Sequence, residues 1–78
     1  MEFRNVDKFE TGENLRRLMR KAGLTTLDMQ YHLRLSSPSS VYAWRQGRFL
    51  PNVENLVKIS QILNCDINDI IVLEGENE

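Results

Sequence analysis

Seventy-eight residues are enough for one small domain, near the lower limit for an independent hydrophobic core. With 41% hydrophobic and 27% charged residues, 4 Gly and 2 Pro, the composition excludes a disordered or fibrous chain. One cysteine excludes an internal disulfide, and no apolar run approaches the ~18 residues of a membrane span. These features, with an N-terminus that lacks the apolar core of a signal peptide, predict a soluble, cytoplasmic protein. The net charge of −1 hides an asymmetry. Residues 1–50 hold nine Lys/Arg against five Asp/Glu, whereas residues 51–78 hold one Lys against six Asp/Glu. A basic front of this kind can offer a positive face to phosphate, and the alternative is a mixed solvated surface.

Residues 1–10 show no strong period and are expected to form an arm, with Phe3, Val6 and Phe9 either covering the edge of the core or loose. From Thr11 the pattern turns helical. Leu15, Leu18, Met19 and Ala22 recur at helical spacing, Thr11 is placed as the N-cap, and Gly23 follows as the terminator. The first helix collects Arg16, Arg17, Arg20 and Lys21 toward its C-terminal half, where they complement the helix dipole. Thr25 to Asp28 has the form of a capping box and starts a short second helix that ends near Leu33, with Leu27 and Leu33 facing inward and Met29 less clearly so.

After a turn at residues 34–37, a third helix is predicted over 38–46, with Ser37 as N-cap, Pro38 in the first helical position and Gly47 ending it. Val41 and Trp44 form its inward stripe. Phe49-Leu50-Pro51 reads as an extended connector. Asn52 then caps a fourth helix that turns Val53, Leu56, Ile59 and Leu63 toward the core and leaves Val57 and Ile62 off that stripe. Asn64 can close it in the left-handed conformation, and Asp66 starts a last short helix carrying Ile67, Ile70 and Ile71. The expected fold class is all-α, five short helices over residues 11–73, followed by a mobile acidic tail at 74–78.

Two short helices joined by a tight turn, the second opening on small polar residues and closing on Gly, form a helix-turn-helix pattern. Held across its predecessor, such a second helix projects its first turn free of the core and fits a DNA major groove. Three stretches carry a wider likeness: ENLRRLMRKAGLT, VYAWRQGRFLPNVENLVKISQILN and DINDII. Together they resemble the lambda-repressor-like (Xre/Cro-type) helix-turn-helix domain over about residues 12–72, most specifically in the W-x-x-G-x-x-L-P run at Trp44, Gly47, Leu50 and Pro51 and in Asn55-Leu56. The resemblance implies five helices and binding of operator DNA as a dimer, with the third helix in the major groove.

This sequence departs from that pattern. The turn between the second and third helices is one residue longer, and Arg34 replaces its customary Gly. Thr26 stands where relatives place a phosphate-touching Gln, Pro38 where many place a base-reading Gln, and Ala43 where a long polar residue is common. The reading face is therefore expected at Ser39, Ser40 and Tyr42, with Pro38 and Ala43 as contacts for a thymine methyl. Thr26, Arg34, Arg45 and Arg48 are the candidate phosphate contacts. First-turn capping is the alternative role for the serines, packing on the second helix for Tyr42, and solvated surface for the arginines.

Ile62, Ile71, Val72 and Leu73 are candidates for a dimer interface, with closure of the core as their alternative. His32 has no Cys or His neighbour at ligand spacing, Cys65 reads as a small buried hydrophobe, and Asp66 and Asp69 as helix-start charges. Nothing fits catalysis, a metal or a cofactor. The expected function is a DNA-binding transcriptional regulator, a repressor, acting as a homodimer on an inverted-repeat site in duplex DNA. The alternative is a protein-binding module, antitoxin-like or partner-sequestering, on a scaffold whose DNA reading has weakened.

Overall fold

The computed structural model describes residues 2–75. Among them run five helices: α1 (Lys8–Lys21), α2 (Thr26–Leu33), α3 (Ser39–Arg45), α4 (Val53–Leu63) and α5 (Ile67–Ile70). Their packing order differs from their chain order. α1 lies against α3 and α5, α2 against α3 and α4, and α4 against α5. Leu15, Met19, Met29, Leu33, Val41, Trp44, Ile59 and Ile70 are buried together, so all five helices feed one core. Burying a side chain of this kind contributes roughly 1.5–3 kcal/mol, which is how so short a chain offsets its ordering entropy.

The helix ends follow local chemistry. Thr25 Oγ1 accepts from the Asp28 amide at 3.1 Å, and Asp28 Oδ2 accepts from the Thr25 amide at 2.8 Å, completing the capping box. Asn52 Oδ1 accepts from the Asn55 amide at 2.8 Å at the start of α4. Gly47 (φ +76°) ends the α3 turn, and Asn64 (φ 54°) ends α4. A Cβ on Gly47 would lie 2.7 Å from the Phe9 Cα, so the close approach of α1 adds to the backbone requirement.

Several expectations are corrected by the packing. α1 begins at Lys8 with Asp7 as its N-cap, the Asp7 carboxylate accepting from the Glu10 amide at 2.9 Å. Thr11 is therefore a buried interior residue. Its Oγ1 accepts from the Val72 amide at 2.9 Å and donates to the Val72 carbonyl at 3.3 Å. The arm is correspondingly shorter than residues 1–10. Val6 pairs in an antiparallel bridge with Leu73, the Asp7 amide donates to the Val72 carbonyl at 2.8 Å, and the Glu74 amide donates to the Asn5 carbonyl at 2.9 Å. This clasp holds the start of the described chain against its end, with Glu74 inside it; residues 76–78 of the expected mobile tail lie outside the described residues. Phe3 and Phe9 are exposed.

Leu27 and Val53 point outward, and Ala22 is exposed at the end of α1, whereas Met29 is fully buried. α3 starts at Ser39, one residue beyond the expected Pro38, so Pro38 takes the cap position without a side-chain bond. Ser37 still serves this turn: its Oγ lies 2.7 Å from Ser39 Oγ and 3.4 Å from the Ser39 amide.

Candidate nucleic-acid interface

The helix-turn-helix consists of α2, the turn 34–38 and α3. Arg34 ends α2 with φ 57° and ψ 42°, a left-handed conformation, and its amide bonds back to the Tyr31 carbonyl at 3.1 Å. That conformation is why glycine is customary here, and Arg34 adopts it against the steric preference of a side chain. The Leu35 amide donates to the Gln30 carbonyl at 3.0 Å, which closes the α2 end before the chain turns toward α3.

α3 is anchored from one side. Val41 and Trp44 are buried against the core, and the α1 backbone at Gly12 lies directly on the carbonyls of Trp44 and Arg45. Ser39, Ser40 and Tyr42 are exposed and Pro38 is partly exposed. Four of the five residues expected on the reading face are thus exposed or partly exposed. Ala43 is not: it is only 8% exposed and sits among the buried residues of α3, so it offers no methyl contact there.

The expected phosphate contacts also divide. Arg34 and Arg48 are exposed, with the Arg48 guanidinium 5.9 Å from the centre of the Phe49 ring. Thr26 is 4% exposed, and its hydroxyl accepts a hydrogen bond from Arg45 Nη1. It is a bridge between α2 and α3, and its hydroxyl is directed inward. Arg45 is half-buried: its guanidinium stands 5.8 Å from the Tyr42 ring centre, and its Nε is buried without a partner. Arg45 thus ties α2 to α3 and flanks Tyr42. The Thr26–Arg45 bond spans 19 residues, and neither position carries a local signal for it.

Arg16 and Arg20 on α1 line one open hollow with Thr25, Thr26, Tyr42 and Arg45, next to the start of α2. Complementing the α1 dipole, the role expected for these two arginines, does not predict this side. Arg16 also pairs with Glu13 at 3.0 Å, an exposed i,i+3 contact of small energetic weight. The Asp28 carboxyl is held below its ordinary value first by the Thr25 backbone N–H and then by the Thr25 hydroxyl, so it remains ionised at the start of α2.

Ile62, Ile71, Val72 and Leu73 are partly buried within the single chain. Ile62 packs against the core, and Val72 and Leu73 belong to the terminal clasp. Burial, followed by the nearby Asp69 and Asp66 carboxylates, pushes the Cys65 thiol up from its ordinary value. Among the described residues no group of three or more His, Cys, Asp or Glu side chains could hold a metal ion, and no helix is long and apolar enough to cross a membrane.

Comparison with known proteins agrees with this architecture. The restriction-modification controller protein C.AhdI from Aeromonas hydrophila superposes with a TM-score of 0.74 at 22% identity, over 82% of this chain and 96% of that one. At that identity the likeness speaks for the fold, five helices with almost no strand. Comparison with curated proteins gives no match. The family model for the Cro/C1-type HTH DNA-binding domain matches residues 14–76, from the middle of α1 through α5, and the chain belongs to that family.

Proposed function

We propose that the chain is a transcription regulator, working as a repressor in the cytoplasm, that binds an inverted-repeat site in duplex DNA as a homodimer with α3 in the major groove. The observation that carries this reading is the two-sided α3. Val41 and Trp44 lock the helix to the core while Ser39, Ser40 and Tyr42 stand outward from its first turns. Arg34 before α3 and Arg48 after it are both exposed, a placement suited to phosphates on either side of a groove. Serine hydroxyls discriminate bases poorly, so shape and phosphate contacts carry much of the affinity. Pro38 is left as an apolar contact, and Arg45 as a cation that flanks Tyr42.

A titration of labelled duplex tests this: weak binding at low salt that falls steeply as salt rises is expected. Absence of binding at low salt would remove the reading. Selection from random duplexes should return inverted repeats with half-sites about one helical turn apart. Arg48→Ala should weaken all sequences alike, whereas Ser39→Ala should change base preference.

The exposed pair Leu27 and Tyr31, neighbours on one face of α2, supports a second reading, a module that docks or sequesters a protein partner. Equal small effects of Arg48→Ala and Ser39→Ala on DNA would favour it.

A further inference from the structure

α4 has two faces, and only one is used by the fold. Ile59 is fully buried, whereas Val53 is 75% and Val57 40% exposed. At about 100° per residue, Val53 and Val57 lie roughly 40° apart on the side of α4 turned away from Ile59. Glu54 and Lys58 run along one flank of this pair, at about 100° and 140° from Val53 on the same wheel. They form an i,i+4 pair at 3.5 Å, with both side chains well exposed.

This arrangement is self-complementary. When two identical helices pair antiparallel about a twofold axis, each flank meets its own copy in reverse order. An acid and a base four residues apart on one flank then face the base and the acid of the other copy, while the apolar pair forms the seam. A parallel pairing would not bring the flank against itself in reverse order. From this charge match we propose that two copies of the chain associate through the outward faces of α4, antiparallel. Val53 and Val57 form the seam, and Glu54 of each copy faces Lys58 of the other. The inference rests on the homodimer of the proposed function and offers a surface other than Ile62, Ile71, Val72 and Leu73 for it. Two valines per copy form a small seam, so the free dimer is weak and is consolidated when both copies sit on one duplex.

Sedimentation equilibrium of the full chain tests it, free and with an inverted-repeat duplex. Because Glu54 and Lys58 are exposed, E54K and K58E should leave the helical circular dichroism unchanged. Each places like charges opposite one another twice across the twofold and should raise the dimer dissociation constant by about tenfold or more. The double variant E54K/K58E should return to wild-type association, and an equimolar mixture of the two single variants should associate more tightly than either alone. A wild-type chain that stays monomeric both free and on duplex overturns the proposal, as do single variants that associate like the wild type. If duplex binding persists while association ignores these changes, this surface is wrong and the DNA reading stands. If no duplex binds at low salt, the DNA reading fails whatever the association shows.

Discussion

Gly12 of α1 lies beneath the Trp44 carbonyl so closely that no Cβ fits between them. A Cβ there would also lie 2.8 Å from the Arg45 carbonyl oxygen. The two residues define how near α1 comes to the end of α3 and hence how firmly α3 is held. Alanine is the better helix former by about 1 kcal/mol, but the neighbouring atoms are backbone and cannot rotate away. Gly12→Ala should therefore lower stability by about 2 kcal/mol, the range of an overpacked core. Chemical denaturation checks this, with a lower midpoint at unchanged slope expected; a raised midpoint would show that α1 can shift.

The Thr26–Arg45 bridge gives a second prediction. Thr26→Val keeps the shape of the side chain and its branching while removing the acceptor, which leaves more of the Arg45 guanidinium unpaired beside its already partnerless Nε. A loss of about 1–2 kcal/mol is expected in thermal or chemical unfolding, with Thr26→Ser close to wild type. Equal melting of both variants would mean that the bond contributes nothing.

Arg34 combines a structural cost with a proposed role. Its left-handed conformation favours glycine, so Arg34→Gly should raise stability by roughly 0.5–1 kcal/mol after the larger chain entropy of glycine is counted. If Arg34 meets a phosphate, the same variant should weaken duplex binding for every sequence and reduce the salt slope by about 1. A more stable protein with unchanged salt dependence would keep the backbone argument and remove the phosphate contact.

The capping box on α2 sets a pH dependence. The Asp28 pKa is lowered in the folded chain, chiefly by the Thr25 N–H. Its contribution is therefore complete above the ordinary carboxylate value and is lost as pH falls through the lowered one. Carboxyl NMR titration should place Asp28 below the ordinary aspartate value, and Asp28→Asn should flatten the part of the acid unfolding curve that lies in this window. An Asp28 that titrates at the ordinary value would contradict the cap.

Much of the secondary structure was legible in the sequence because its signals are local. Thr25 with Asp28, Asn52, Gly47 and Asn64 each act within a turn of their own position, and all four stand where capping chemistry puts them. The start of α1 was misplaced because Thr11, a good cap by type, is used by Val72, 61 residues away. The exposure of Ser39, Ser40 and Tyr42 in the candidate site was legible too. The inward turn of Ala43 and Thr26 was not, because each depends on which neighbouring helix covers it.

By itself, the sequence determined five helices, most of their ends, the burial of Val41 and Trp44, and the position of α3. Short-range hydrogen bonds and apolar spacing suffice for those. Only the tertiary structure decided the faces. Leu27 and Val53 carry the spacing of core residues yet stand outside, because no helix lies over them, while Met29 is sealed beneath its neighbours. Periodicity defines a stripe on a helix, but burial depends on what packs against it. Here that follows from the close contact of α1 on α3 and from the hydrogen bonds that join the start of the described chain to its end.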